Sequence, residues 1–323
     1  MQRAKGKDEG FSLIELLVVM IVTFFVSGAI YGLLSSGQSA FRREPEMSDR
    51  QQNIRVGSSL VESDILGAGA YMPLYAQTFT NGLDGVGPTG TSGAATDELE
   101  IFTSGNCDIL NICNFNPGAS FTTFEGLSSC FGFPALILLA NDVEWGVYWA
   151  SQPGAGSVSS CSGGGSDNGH VQFAPGQAPL INPAGGPNFV DPPEIMSTIT
   201  AARYRIQVDA EGVPNLWRSA AGGRTDPVTG ASTWQMVARG VEDLQVRYET
   251  GAGWANTPGV VTSPDLNSIV RRVEVTLWSR TIAPSLAGES ARTGLTNAIR
   301  GRLVTTGMPR AAFTGLQISG QIN

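Results

Sequence analysis

Lysine is nearly missing from this chain. Only Lys5 and Lys7 occur among 323 residues. Past residue 7 there is no side-chain amine for Schiff-base chemistry or an isopeptide crosslink. Histidine is scarcer still: His170 stands alone, which removes triad chemistry and most zinc sites, because those take imidazole as base or ligand. The four cysteines contain no C-x-x-C and no zinc spacing. Charge is also sparse, at 15% of residues with a net of −8. That sign disfavours a general binder of nucleic acid or of anionic membranes.

No convergent catalytic set takes the place of the missing residue types, so the chain reads as a structural protein and not an enzyme, with no cofactor implied. The Gly-rich segment 163–169, GGGSDNG, lacks both the P-loop lysine and the calcium-loop spacing with its terminal glutamate. It reads as a loop. Asp97, Glu98 and Glu100 cluster near a strand with no evident partner and read as solvated positions. Trp145, Tyr148, Trp149 and Trp254 suit either a ligand face or a sheet core.

What is present begins with one long apolar run, residues 11–34, FSLIELLVVMIVTFFVSGAIYGLL. It is long enough to cross a bilayer as a single helix. Ten mostly polar residues, MQRAKGKDEG, precede it, and no small-residue cleavage motif follows it. That pattern differs from a secretory signal whose apolar segment is removed. The fifth residue of the run is Glu15. A carboxylate within a membrane helix costs about 2.5–3.5 kcal/mol on insertion scales, which points to a use.

The stretch GFSLIELLVVM, residues 10–20, resembles the N-terminus of type IV prepilins. The resemblance implies that a membrane prepilin peptidase cuts between Gly10 and Phe11 and methylates the new amine of Phe11. It makes Glu15 the family's glutamate. A free Phe11 amine in lipid is a cation, and the Glu15 carboxylate of an axially offset neighbour would neutralise it. Such a pair sets register during assembly. The alternative is a Glu15 that is protonated in the bilayer and bonded locally. Removing the leader, with three cations and two anions, takes the net charge from −8 to −9. Basic residues lie on both sides of the span (Arg3, Lys5 and Lys7 before it, Arg42 and Arg43 after it). Orientation, with the rest of the chain exported, therefore rests on the resemblance.

The domain reading is a leader at 1–10, a transmembrane helix at 11–34, a helical stalk at 35–66 and a soluble β-rich domain at 67–323. The stalk follows from the stripe Ala40, Met47, Ile54, Val61 and Ile65. Pro45 should kink or break it, and Gly67 and Gly69 should stop it. Alternation predicts strands at 97–103, 203–208, 215–218, 242–249 and 272–278, and a strand pair at 135–140 and 143–150 around Asn141-Asp142. Residues 151–193 hold nine Gly and seven Pro, a composition that predicts a surface loop with no regular element. The fold class is α+β: a long N-terminal helix on an antiparallel sheet. From residue 266 onward, seven arginines face only Glu274 and Glu289. A strand face and a tail that pair with acidic loops elsewhere in the fold or in a neighbour explain them better than DNA contact.

Cys107, Cys113, Cys130 and Cys161 all follow the apolar run, and an even count in an exported region predicts two disulfides. Three connectivities are possible. Cys107–Cys113 with Cys130–Cys161 closes the shorter loops.

The last third extends the resemblance. VARGVEDLQVRYE, residues 237–249, is similar to the PilW group of minor pilins and more distantly to GspJ-type pseudopilins. The resemblance implies a chain held in the inner membrane with its domain in the periplasm, then carried into a pilus fibre at the cell surface. The implied partners are the prepilin peptidase, other minor pilins, the major pilin, the inner-membrane assembly platform and, before assembly, the lipid bilayer. The alternatives are a pseudopilin of a type II secretion system and a pilus-mounted adhesin or DNA receptor.

Overall fold

The structure, a computed structural model, describes residues 12–73, 76–80, 84–90, 93–110, 112–116, 120–123, 132–141, 144–153, 170–173, 189, 193–226, 229–259, 269–282 and 298–310; at some of these positions, Cys113 among them, it describes the backbone alone. The chain divides into two compact units, Met1–Asp49 and Arg50–Asn323.

The first unit holds most of helix α1, Leu13–Gly67. From Leu13 to Leu34 its large apolar side chains are exposed. A helix hydrophobic all round and unburied is built for an apolar surrounding, and Leu13–Ser35 is long and apolar enough to cross a membrane. The expected break at Pro45 does not occur: α1 continues through it. Proline removes one backbone donor and crowds the carbonyl four residues back, a local loss that the long flanking helical runs tolerate.

The second unit is α+β. Among the described residues it contains the last turns of α1 and thirteen strands, antiparallel wherever they pair in a ladder. Those strands are β1 Leu99–Leu110, β2 Ile112–Asn116, β3 Ser120–Thr123, β4 Ala135–Ala140, β5 Trp145–Pro153, β6 His170–Phe173, β7 Ile195–Val208, β8 Pro214–Ser219, β9 Trp234–Arg239, β10 Val241–Thr250, β11 Gly253–Ala255, β12 Arg272–Arg280 and β13 Arg300–Gly307. One nine-stranded sheet runs β2-β3-β6-β5-β4-β7-β8-β9, with β1 on the other edge of β7; a second runs β11-β10-β12-β13.

β7 is long enough to organise the first sheet. Its residues 195–199 pair with β4 and 203–208 with β8, while β1 pairs along 195–204. β4 and β8 therefore share one edge in succession. β5 shows why a strand with no wet face forms here: Trp145, Val147 and Trp149 enter one apolar cluster, and Tyr148 and Ala150 enter another behind it.

The main core joins both sheets to the end of α1. Ile54, Val61 and Ile65 pack with Leu99, Tyr204 and Leu216 of the first sheet and with Leu244, Val246, Val275 and Leu277 of the second. Burying each such aliphatic side chain contributes about 1.5–3 kcal/mol. Small residues let the helix come close. A Cβ on Gly57 would lie 3.1 Å from Leu216 Cδ2, and one on Gly307 would lie 2.6 Å from Ile65 Cγ2.

Two expectations change, and the segment that carries the PilW similarity is divided. β6 lies inside the 151–193 stretch, where no element is expected; HVQF is a short window free of Gly and Pro, with Val171 and Phe173 buried. Segment 237–249 is divided between two strands. Gly240, at φ +75°, ends β9 in the first sheet and begins β10 in the second. The acidic cluster is not solvated: Asp97 and Glu100 are buried, and Glu98 and Glu100 are both ion-paired.

Candidate functional site

Residues 1–11 lie outside the described residues, Gly10 and Phe11 among them. Immediately after them Ser12 precedes α1, and its carbonyl accepts the helix's opening bond from Leu16 N at 3.1 Å. Glu15 falls in the first turn and is exposed. Ser12-Leu13-Ile14-Glu15 is the S-x-x-E order of a capping box, a pattern that favours helix initiation. A carboxylate in the first turn also suits the positive end of the helix dipole. The sequence reading assigns Glu15 to subunit contacts, with a locally bonded carboxyl as the alternative, and does not use the S-x-x-E spacing. The two roles are compatible, because an exposed carboxylate in the first turn remains open to a neighbour.

In the second unit the conspicuous polar sites are clamps. Asp64, on the last turns of α1, accepts from Tyr204 Oη and from Arg218 Nε, the latter at 2.8 Å, and Arg218 Nε also lies 3.1 Å from Tyr204 Oη. Burial, then the Asp64 charge, pushes the Tyr204 phenol well above its ordinary range. Tyr204 is thus a neutral donor. The clamp fixes the helix end to β7 and β8. Nothing in the sequence pairs Asp64 with residues 140 and 154 positions away.

The acidic cluster forms three separate sites. Glu98 accepts from Arg203 Nε at 2.7 Å. Glu100 accepts from Arg224 Nη1 at 2.8 Å and from Thr80 Oγ1 at 2.6 Å. Asp97 accepts the backbone N–H groups of Val246 and Gly85 at 2.7 and 2.9 Å. No three acidic, cysteine or histidine side chains among the described residues are grouped to hold a metal ion.

Two arginines of the arginine-rich end pair within the fold, with carboxylates on strands and not on acidic loops. Arg272 bonds Glu249, and Arg300 bonds Glu242. Arg302 lies over Trp278. Trp145, Tyr148 and Trp149 are buried, whereas Trp254 is 37% exposed and lies near Arg247 and Arg272.

Cys107 is buried and disulfide-bonded. The side chain of Cys113, and Cys130 and Cys161 altogether, lie outside the described residues, as does segment 163–169. The pairing of Cys107 with Cys113 and of Cys130 with Cys161 remains a proposal.

No curated protein matches the chain. Among solved structures it is similar to a type IV-like pilin from Thermus thermophilus, at 15% identity and a TM-score of 0.24, over 55% of this chain and 84% of that one. The family model that matches is the prokaryotic N-terminal methylation motif, over residues 5–31. This interval includes Gly10, Phe11, Glu15 and most of the apolar helix. The chain therefore carries, over residues 5–31, the prokaryotic N-terminal methylation motif.

Proposed function

We propose that this chain is a type IV pilin subunit of the minor, PilW-type kind, which takes part in assembly, priming or tip formation of a pilus. The observation that supports it most is the methylation motif at residues 5–31 running into an exposed apolar helix that carries a single carboxylate, Glu15. In this reading the prepilin peptidase cuts between Gly10 and Phe11. The helix holds the protein in the inner membrane with its β-rich domain in the periplasm, and then packs among other pilins in the fibre. Glu15 meets the Phe11 amine of an offset neighbour. The PilW assignment rests on the similarity of residues 237–249.

Intact mass of membrane-extracted protein tests the processing. The expected product starts at Phe11 with one added methyl group. A protein that keeps Met1, or that lacks the apolar helix, overturns the proposal. Glu15→Val should insert in the membrane at least as well as wild type, since a buried charge is removed. Its share in sheared fibres should fall clearly. Equal incorporation would remove Glu15 from assembly.

A further inference from the structure

We propose that Arg50 is the cationic half of an ion pair between subunits, and that a carboxylate of a neighbouring subunit completes it. The inference rests on the pilus reading and names one contact within it.

The observation behind it is a charge without a counter-charge. Five arginines of the second unit each meet a carboxylate: Arg203 with Glu98, Arg218 with Asp64, Arg224 with Glu100, Arg272 with Glu249 and Arg300 with Glu242. Two others, Arg50 and Arg205, have a buried Nε with no acceptor. Arg205 is compensated elsewhere on its side chain. Its guanidinium lies 3.9 Å over the Trp234 ring and donates to Gln207 Oε1 at 2.9 Å. Arg50 has neither kind of support. It is half-buried on α1, and among the described residues no hydrogen bond or ion pair ends on its guanidinium. Burial lowers that group from its ordinary value, and no carboxylate offsets the effect.

The guanidinium rests against Gly301 of β13. A Cβ on that residue would stand 2.9 Å from Arg50 Cζ and 3.2 Å from Nη2, so the glycine leaves the room that the group occupies. A partly buried guanidinium has given up some of its water and gained nothing in exchange. A carboxylate matches its planar fork of donors in charge and in shape. No described carboxylate of this chain reaches it, which leaves the acceptor to a neighbour. The charge balance favours that source. Without its leader the chain carries −9, and Glu44, Asp49, Asp84, Glu194 and Glu211 are exposed. In the pilus reading α1 is also the element that packs among other subunits, which brings their side chains to its flank.

The sign of the stability change separates this role from an internal one. An arginine that holds its own domain together weakens the domain when it is replaced. Removing an uncompensated, partly buried charge does not.

The scarcity of lysine supplies a direct test. Past the leader the chain has no side-chain amine, so Arg50→Lys introduces the only one. In sheared fibres, a zero-length carbodiimide should join the peptide that contains residue 50 to an Asp- or Glu-containing peptide of another subunit. The full chain dispersed in detergent micelles should not give this product. Arg50→Met should enter fibres about tenfold less than wild type, the factor that about 1.4 kcal/mol represents. Arg50→Lys, which keeps the charge, should stay closer to wild type. In micelles, Arg50→Met should melt no lower than wild type. The inference is overturned, and the pilus reading left standing, by a crosslink already formed in the dispersed chain, by none in fibres, by an Arg50→Met share equal to that of wild type, or by a clear drop in its melting temperature. Wild type absent from the sheared fibres overturns both.

Discussion

Glu242→Ala is expected to cost about 3–5 kcal/mol of domain stability, the usual consequence of leaving one member of a buried ion pair uncompensated. Glu242 and Arg300 have side chains only 8% and 5% exposed, joined by Arg300 Nε to Glu242 Oε1 at 2.7 Å. They sit on β10 and β13, which flank β12. Glu242 reaches the position because the β10–β12 register slips between Val241 and Asp243. That bulge turns one extra residue out of the pairing sequence, which re-aims its side chain. Arg300→Ala should cost a similar amount. An apolar double replacement, Glu242→Leu with Arg300→Met, should recover most of the loss, because the desolvation of both charges disappears together. Urea unfolding of all four proteins measures it. A single variant within about 0.5 kcal/mol of wild type, the range of ordinary surface changes, would show that the pair is not buried in solution.

How far the sequence reveals this arrangement depends on the range of the interaction. Glu15 and the apolar run are legible because motif and hydropathy are local. β4 and β5 are legible for the same reason: the apolar runs ALILLA and WGVYWA are separated in sequence by a short polar stretch that begins Asn141-Asp142. Asp97 and Glu100 are misread as solvated because their partners, Val246 and Arg224, lie 149 and 124 positions away. Periodicity reports which face of a strand is dry, but not which distant donor reaches a carboxylate. Asp64 is silent for the same reason. β6 is missed because it is four residues long within a Gly- and Pro-rich region, where composition over a wide window outweighs a short alternation. At Pro45 the break, one of the two outcomes expected, does not occur, since a strong local breaker is overridden by helix on both sides.

The passage of segment 237–249 from one sheet to the other turns on a single residue, and it leads to a second large effect. Gly240 has φ +75°, in the left-handed region. Its N–H donates to Asn215 Oδ1 at 3.2 Å, and its carbonyl accepts from Arg280 N at 2.8 Å. The chain turns there while both of its backbone groups stay bonded. A Cβ at this position would lie 2.8 Å from Arg280 O and 3.4 Å from Ile282 Cγ1. The first of these neighbours is backbone and cannot rotate away. Gly240→Ala therefore combines the left-handed penalty, about 1–2 kcal/mol for a residue with a Cβ, with a clash that pushes β12 away from the corner. Gly230 provides the comparison: its φ is +69°, yet nothing lies within 4 Å of an added Cβ. Gly230→Ala should show the conformational penalty alone. Thermal unfolding of the two variants separates strain from clash. Gly240→Ala should melt well below Gly230→Ala, and hydrogen exchange should quicken at the Arg280 amide, which loses its acceptor when the corner opens. Equal melting temperatures would mean that β12 yields without cost and that the corner does not depend on the close approach.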